Sequence, residues 1–345
     1  MTAGVMSMQE RLLFVISPPR AGSTLLQQML GSHAEIYTHP EPHLITPLAY
    51  LGYHDRVDKA PYDHINAAEA IRDFVNALPS GEQDYLDALR AYADTLYGRM
   101  LSKSDRRYFL DKTPAYGLVL PFLRKLYPEA HYVALTRHPL AVMSSYANSF
   151  FDGDWHAAHA YNPVVERYVA TMANFLRRPP THLHHVGYEQ LATSPAPELA
   201  RIFAFLGVQD DPDAVNYGEH FVGAHATRPG AGDPIGVGQH TRPVATSIEK
   251  WVDELRMDPK KLALAQQIVD DLDADDVRAW GYEKDALFAP MNVAADPPVA
   301  FKKPKLNSFV LQRKIMLALK KNIDTRPHGK LLRRVRYYCD VLLRE

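Results

Sequence analysis

The stretch Ser17-Pro18-Pro19-Arg20-Ala21-Gly22-Ser23-Thr24 puts a guanidinium, a glycine and hydroxyls within one short turn. Those residue types suit a phosphate-like anion. Arg20 supplies charge and a donor fork, and Gly22 lets the backbone approach a ligand. Ser23 and Thr24 add hydroxyl donors. The turn follows the apolar run Leu12 to Ile16, short and branched enough to be a buried strand. It precedes Leu25 to Leu30, whose apolar residues fall at helical spacing. A strand feeding such a turn into a helix aims backbone N–H groups at the turn, and the helix dipole favours an anion there. The turn is not a Walker A loop, because Ser17 stands at its first glycine and no lysine precedes Ser23. An ordinary strand-turn-helix with an incidental arginine is the plain alternative.

A second candidate grip lies far along the chain. Arg137 closes the apolar run His131 to Thr136, and Ser145 follows about two helical turns into the next segment. A guanidinium and a hydroxyl on one edge suit a second phosphate. An arginine paired with an acid at a strand end is the alternative. Two separated anion sites imply one ligand with anionic groups at both ends.

The elements that must position these groups alternate between strand and helix. Candidate strands are Leu12–Ile16, a short segment at Ala34–Thr38, Arg107–Asp111, His131–Thr136 and His182–Val186. Helical spacing covers Tyr116–Leu126, Leu140–Phe151, Val164–Leu176, Glu198–Leu206 and Pro259–Trp280. Thr246 with Glu249 reads as a capping box opening a helix through Trp251. The fold expected is α/β, a P-loop-like central parallel sheet of about five strands flanked by helices. Residues 44–101 read as a helical insertion, too long for a plain connection. The α/β domain is expected over 1–288, with a proline-rich linker at 289–305 and a basic helical extension at 306–345. Ligands of such sheets lie beyond the carboxyl ends of the strands. Arg20, Lys112, Arg137 and Tyr188 all fall just after predicted strands, so four distant positions should share one edge.

Composition narrows the class. Of 345 residues, 46% are hydrophobic and 23% charged, which is ordinary for a globular protein. No apolar run reaches membrane-spanning length, and no signal sequence is evident. The lone Cys339 forbids an intrachain disulfide, so a cytoplasmic location is expected. From Ala300 on, thirteen bases face three acids, a net of +10 that leaves −11 for the rest of the chain. A whole-surface nucleic-acid binder is therefore disfavoured. Leu331, Val335, Tyr338 and Leu342 form one apolar helical face in that basic tail. A docked or solvated helix is the plain reading of it. Peripheral contact with an anionic membrane, or a homo-oligomer contact, is the sharper one.

Taken together, these motifs resemble the sulfotransferases that use 3′-phosphoadenosine 5′-phosphosulfate (PAPS). Pro19-Arg20-Ala21-Gly22-Ser23-Thr24-Leu25-Leu26 is similar to their 5′-phosphosulfate loop. Leu135-Thr136-Arg137-His138-Pro139 with Ser145 is similar to their 3′-phosphate element. Val186-Gly187-Tyr188-Glu189-Gln190-Leu191, Pro195 and Phe203 to Gly207 resemble the tyrosylprotein branch and bacterial relatives. The resemblance runs from about Leu12 to Trp251. It implies that Arg20, Ala21, Gly22, Ser23, Thr24 and Leu25 hold the 5′-phosphosulfate. It also implies that Arg137 and Ser145 hold the 3′-phosphate and that Tyr188 contacts the adenine side, a buried core tyrosine being the alternative. The loop from Gly232 to Trp251 would close over the nucleotide, with Ser247 and Lys250 as candidates. His138 stands where many relatives carry aspartate.

The activity implied is in-line sulfuryl transfer to a hydroxyl acceptor, with no metal required. Glu41, held between Pro40 and Pro42, is the expected general base, against the alternative of a solvated loop carboxylate. His43 is the rival base or a substrate-orienting group, and the loop histidines His220, His225 and His240 are weaker candidates. Lys112 matches a family element near the transferred group, or is a surface lysine. The acceptor is a hydroxyl-bearing small molecule, glycan, lipid or phenol; Tyr50, Tyr53, Tyr62, Trp155 and Tyr161 suit these equally. Two other classes stay open. One is a P-loop-type small-molecule kinase, disfavoured by the missing Walker lysine. The other is a non-catalytic protein that binds adenosine bisphosphate.

Overall fold

The computed structural model describes residues 6–54, 64–220, 241–245 and 248–292, with a few positions between 327 and 335. Five strands form one sheet, all parallel, in the order β2-β3-β1-β4-β5. In chain order these are β1 (Leu12–Ile16), β2 (Ile36–Pro40), β3 (Tyr108–Lys112), β4 (His131–Thr136) and β5 (His182–Gly187). Every residue of β1 is fully buried, as its unbroken apolar run requires of a central strand covered on both faces. The chain leaves β1 toward β2 on one side and returns for β4 on the other. The switch point of the topology, where ligands of open α/β sheets bind, is thus at β1.

Helices cover both faces. The first part of the chain supplies α1 (Ser23–Ser32), α2 (Ile45–Ala49), α3 (His64–Asn76), α4 (Glu82–Leu101), α5 (Leu120–Leu126) and α6 (Pro139–Phe150). The second part supplies α7 (Trp155–Tyr161), α8 (Val164–Arg177), α9 (Tyr188–Thr193), α10 (Pro195–Leu206), α11 (Tyr217–His220), α12 (Lys250–Met257), α13 (Pro259–Asp271) and α14 (Ala274–Ala279). Beneath the carboxyl edge the core is aromatic. The Phe14 ring lies 5.6 Å from both Tyr127 and Tyr132, 6.2 Å from Tyr116 and 6.5 Å from Tyr97. Such a cluster fixes the floor of the sheet edge, since each ring buries a large apolar area and prefers tilted or edge contacts.

The expected α/β fold with its parallel five-stranded sheet is what the chain adopts. Boundaries differ where local chemistry intervenes. The segment expected as one helix over Tyr116–Leu126 is a 3-10 turn at Pro114–Leu118 followed by α5, because Pro121 lacks an N–H and sits in the first turn. Pro259–Trp280 is likewise two helices, the second opened by the Asp273 side chain accepting from the Asp276 amide. The helix through Trp251 begins at Lys250 with Glu249 at its N-cap and no side-chain cap, later than the expected capping box allows. Thr246 itself lies outside the described residues, as does most of the linker and basic tail. Leu331 and Val335, which are described, are exposed. Among the described residues no helix is long and apolar enough to cross a membrane.

Candidate active site

Each strand of the sheet delivers one polar side chain to the same edge. Arg20 follows β1, Glu41 follows β2, Lys112 ends β3, Arg137 follows β4 and Tyr188 follows β5. The cradle after β1 is held in a conformation its residues do not favour on their own. Arg20 has φ +70 and Gly22 φ +96. Gly22 is the N-cap of α1 and offers no side-chain cap, so the first-turn amides of Ser23, Thr24 and Leu25 are open to a ligand. A Cβ at Gly22 would lie 2.4 Å from Tyr188 Cδ2. Glycine is required here twice, by backbone angle and by the ring pressed against it.

Arg137 is 6% exposed and reaches the cradle directly. Its Nη1 donates to the Arg20 carbonyl at 3.1 Å. Its guanidinium carbon stands 4.2 Å over the Tyr188 ring, a cation–π contact worth up to about 2 kcal/mol when desolvated. Burial pulls the Arg137 pKa down from its ordinary value, with Tyr188 and Glu189 opposing; an arginine nonetheless stays charged. Arg20 Nε donates to Ser145 Oγ at 3.4 Å, and its guanidinium lies 6.0 Å over Phe150. Gly22, Tyr188, Arg137, Arg20 and Ser145 are thus one contiguous surface, and the two expected anion grips adjoin. Tyr188 is buried, as a core tyrosine would be, yet it also floors the cradle.

On the other side of the cradle, Lys112 is almost completely buried and donates to Glu41 Oε1 at 2.6 Å. It also reaches Thr24 Oγ1 at 3.4 Å. Burial lowers the Lys112 pKa, and the adjacent Glu41 carboxylate counters that by favouring the ammonium. The surface-lysine alternative is therefore excluded. Glu41 is mostly buried and His43 half-exposed, with His43 Nε2 3.9 Å from Glu41 Oε2. Both sit at positive φ, +25 and +52. The site therefore joins a carboxylate and an ammonium to the anion cradle through Thr24.

Of the remaining expected residues, Ala21 and Leu25 are buried and contribute backbone. Lys250 opens α12 with its side chain exposed. Ser247, His225 and the loop from Gly232 to His240 lie outside the described residues, as does the His220 side chain.

Sequence reading missed the supports behind these groups. Asp111 is fully buried and accepts from Tyr97 at 2.6 Å, from Thr113 at 2.9 Å and from Tyr116 at 2.9 Å. Burial raises its pKa to about 6 against the pull of those hydroxyls. A carboxylate directly after the apolar Tyr108–Leu110 run, inside a strand buried throughout, was the available signal. The Arg137 carbonyl accepts from Trp280 Nε1 at 2.8 Å, and the His138 amide donates to Glu189 at 3.0 Å. Nothing local in the sequence marks Trp280. Further out, buried Glu254 accepts from Ser144, Asn148, Trp155 and Lys261 and ties α12 to α6, α7 and α13.

The chain is similar to several known proteins. The nodulation protein NoeE of Sinorhizobium fredii is 27% identical over 300 residues, covering 79% of this chain and 66% of that protein. An uncharacterized protein of Aquifex aeolicus is 27% identical over 230 residues, covering 60% of this chain and 27% of that one. The chain therefore spans less than two thirds of the length of either relative. Among solved structures, the sulfotransferase domain of the Synechococcus PCC 7002 olefin synthase superposes with a TM-score of 0.48 at 26% identity, covering 70% of this chain and 86% of that domain. A sequence model of the sulfotransferase family matches residues 13–212, the span that carries the cradle, Glu41, Lys112, Arg137, Ser145 and Tyr188. On that match the chain belongs to the sulfotransferase family.

Proposed function

We propose that this chain acts as a sulfotransferase that uses PAPS and moves its sulfuryl group to a hydroxyl acceptor in line, with Glu41 as general base. The observation that carries the reading is the contiguous run from Arg137 through the Gly22 cradle to Lys112 and Glu41. Two buried or half-buried guanidiniums, open helix amides and a glycine with no room for a side chain fit a nucleotide with anionic groups at both ends. PAPS would supply the activated sulfuryl group. Arg137 and Ser145 would grip its 3′-phosphate, and the cradle amides with Arg20, Ser23 and Thr24 its 5′ end. Tyr188 would flank the nucleotide beneath Arg137.

Glu41 takes the acceptor proton as the acceptor oxygen bonds to sulfur. The bond from sulfur to the phosphate oxygen breaks, and its electron pair stays on that oxygen. Lys112 links the two events. While Glu41 is ionised it shares the charge of Lys112. Once Glu41 is protonated, that ammonium is released toward Thr24 and the departing oxygen. A single positioned cation thereby serves base and leaving group in turn. His43, 3.9 Å from Glu41, would orient the acceptor there. The acceptor class expected is a hydroxyl-bearing small molecule, glycan, lipid or phenol.

The test is Glu41→Gln. It should hold adenosine 3′,5′-bisphosphate as tightly as wild type and lose at least a hundredfold in turnover, the range of a general base. Turnover equal to wild type would remove Glu41 from that role. Stabilisation by ATP with Mg²⁺ but not by the bisphosphate would favour the kinase reading instead.

A further inference from the structure

We infer that Tyr116, backed by Asp111, is the positioning residue for Glu41. This rests on the reading of Glu41 as the base. Glu41 and His43 lie in the four-residue connection between β2 and α2, and both occupy the left-handed region of backbone space. A non-glycine residue there is strained by roughly 1–2 kcal/mol. Such a connection relaxes unless both ends are fixed. At its start, Pro40 is in register with Lys112 across the β2–β3 pair. At its end, the amide of Ile45 donates to the Tyr116 hydroxyl at 3.2 Å. Leu44, the N-cap of α2, provides no side-chain cap. A tyrosine from a distant segment therefore takes up the orphan amide of a five-residue helix and pins the far end of the base's loop.

The Tyr116 hydroxyl accepts in this way because its own proton is committed to Asp111 at 2.9 Å. Asp111 immediately precedes Lys112, the partner of Glu41. The two ends of the connection thus converge on two adjacent residues of one strand. Tyr97 of the inserted α4 donates to the same Asp111 oxygen at 2.6 Å, so the insertion is wired to this support. Among the described residues these hydroxyls make no hydrogen bond to the Gly22–Arg137 cradle, so the arrangement bears on the base more than on nucleotide affinity.

The experiment is Tyr116→Phe, which keeps the ring beside Phe14 and deletes one hydroxyl. Turnover of PAPS is followed with 2-naphthol, octyl glucoside and tyrosine methyl ester, or with water where none is faster. Bisphosphate affinity is measured by calorimetry on the same samples. Tyr127→Phe is the control: it keeps a ring of the same Phe14 cluster and deletes a buried hydroxyl whose partner is Asp94, not Asp111 or the Glu41 connection. Tyr116→Phe should lower kcat about tenfold with bisphosphate affinity within twofold of wild type, and Tyr127→Phe should leave kcat unchanged. In a Glu41→Gln background, Tyr116→Phe should change residual turnover less than twofold, because the group it positions is gone. If Tyr116→Phe does not fold, Asp111→Asn, which keeps the side-chain shape, takes its place with the same expectations.

Any of three results overturns the inference. These are an unchanged kcat, a loss of nucleotide affinity in step with kcat, or an undiminished effect in the Glu41→Gln background. Wild-type turnover in Glu41→Gln itself would fall instead on the reading of the base.

Discussion

Gly22→Ala is the sharpest single change the cradle allows. An alanine at φ +96 pays about 1–2 kcal/mol in backbone strain. Its Cβ would sit 2.4 and 2.5 Å from two ring carbons of Tyr188, where ordinary contact begins near 3.4 Å. The ring must shift by about 1 Å, and most of its attraction for Arg137, roughly 0.5–2 kcal/mol, is lost with the stacking. Together these come to about 1.5–4 kcal/mol, divided between folding stability and nucleotide binding. If half reaches binding, affinity for adenosine 3′,5′-bisphosphate falls roughly 3- to 30-fold, since 1.4 kcal/mol is tenfold. Calorimetric titration reads the affinity, and a thermal melt of the apoprotein reads the remainder. Adding Tyr188→Leu should relieve the contact part, so Gly22→Ala should be milder in that background than in wild type. Wild-type affinity and melting temperature in Gly22→Ala would refute the argument that ring and backbone both demand glycine.

Two further outcomes concern stability. Glu254→Ala leaves three buried or half-buried donors and the Lys261 ammonium without their shared acceptor, and should lose about 3–5 kcal/mol by denaturant unfolding. A loss under 1 kcal/mol would show that α12 is held by packing alone. His138 is buried against Trp251, and burial, with the Arg137 charge adding to it, lowers its pKa from 6.5 to about 4. A depressed pKa on a base means stability is complete above pH 6.5 and is lost as pH falls toward 4, by about 3 kcal/mol in all. His138→Phe keeps the stacking and cannot titrate, so its stability should fall less than that of wild type over this window. Parallel pH profiles would contradict the assignment.

The sheet was legible because its signals are local. His131–Thr136 is bounded by a proline-starting helix and a turn, and its predicted and observed limits coincide. Arg107–Asp111 shifted by one residue to Tyr108–Lys112, because the pairing of Lys112 with Pro40 extends the ladder past the apolar run. The edge shared by Arg20, Lys112, Arg137 and Tyr188 followed from strand direction, which a parallel order fixes. One helix start was missed: α10 begins at Pro195, three residues before the expected Glu198, since proline suits a first turn, whereas α13 begins at Pro259 as expected.

What stayed hidden is what connects sites far apart in the chain. Trp280 supports the Arg137 carbonyl across 143 residues and Glu254 reaches Ser144 across 110. Both supports come from beyond the 13–212 span of the family match. Periodicity reports which face a residue occupies, and it carries no information on which distant partner meets it.

The central claim is that Arg137 and the Gly22 cradle grip opposite ends of one nucleotide. Titration with adenosine 3′,5′-bisphosphate and with adenosine 5′-monophosphate, for wild type and Arg137→Ala, tests it most directly. Wild type should prefer the bisphosphate by tenfold or more, and Arg137→Ala should bind the two alike, with monophosphate affinity little changed. Equal affinities in wild type, or a preference that survives the loss of Arg137, would contradict the claim.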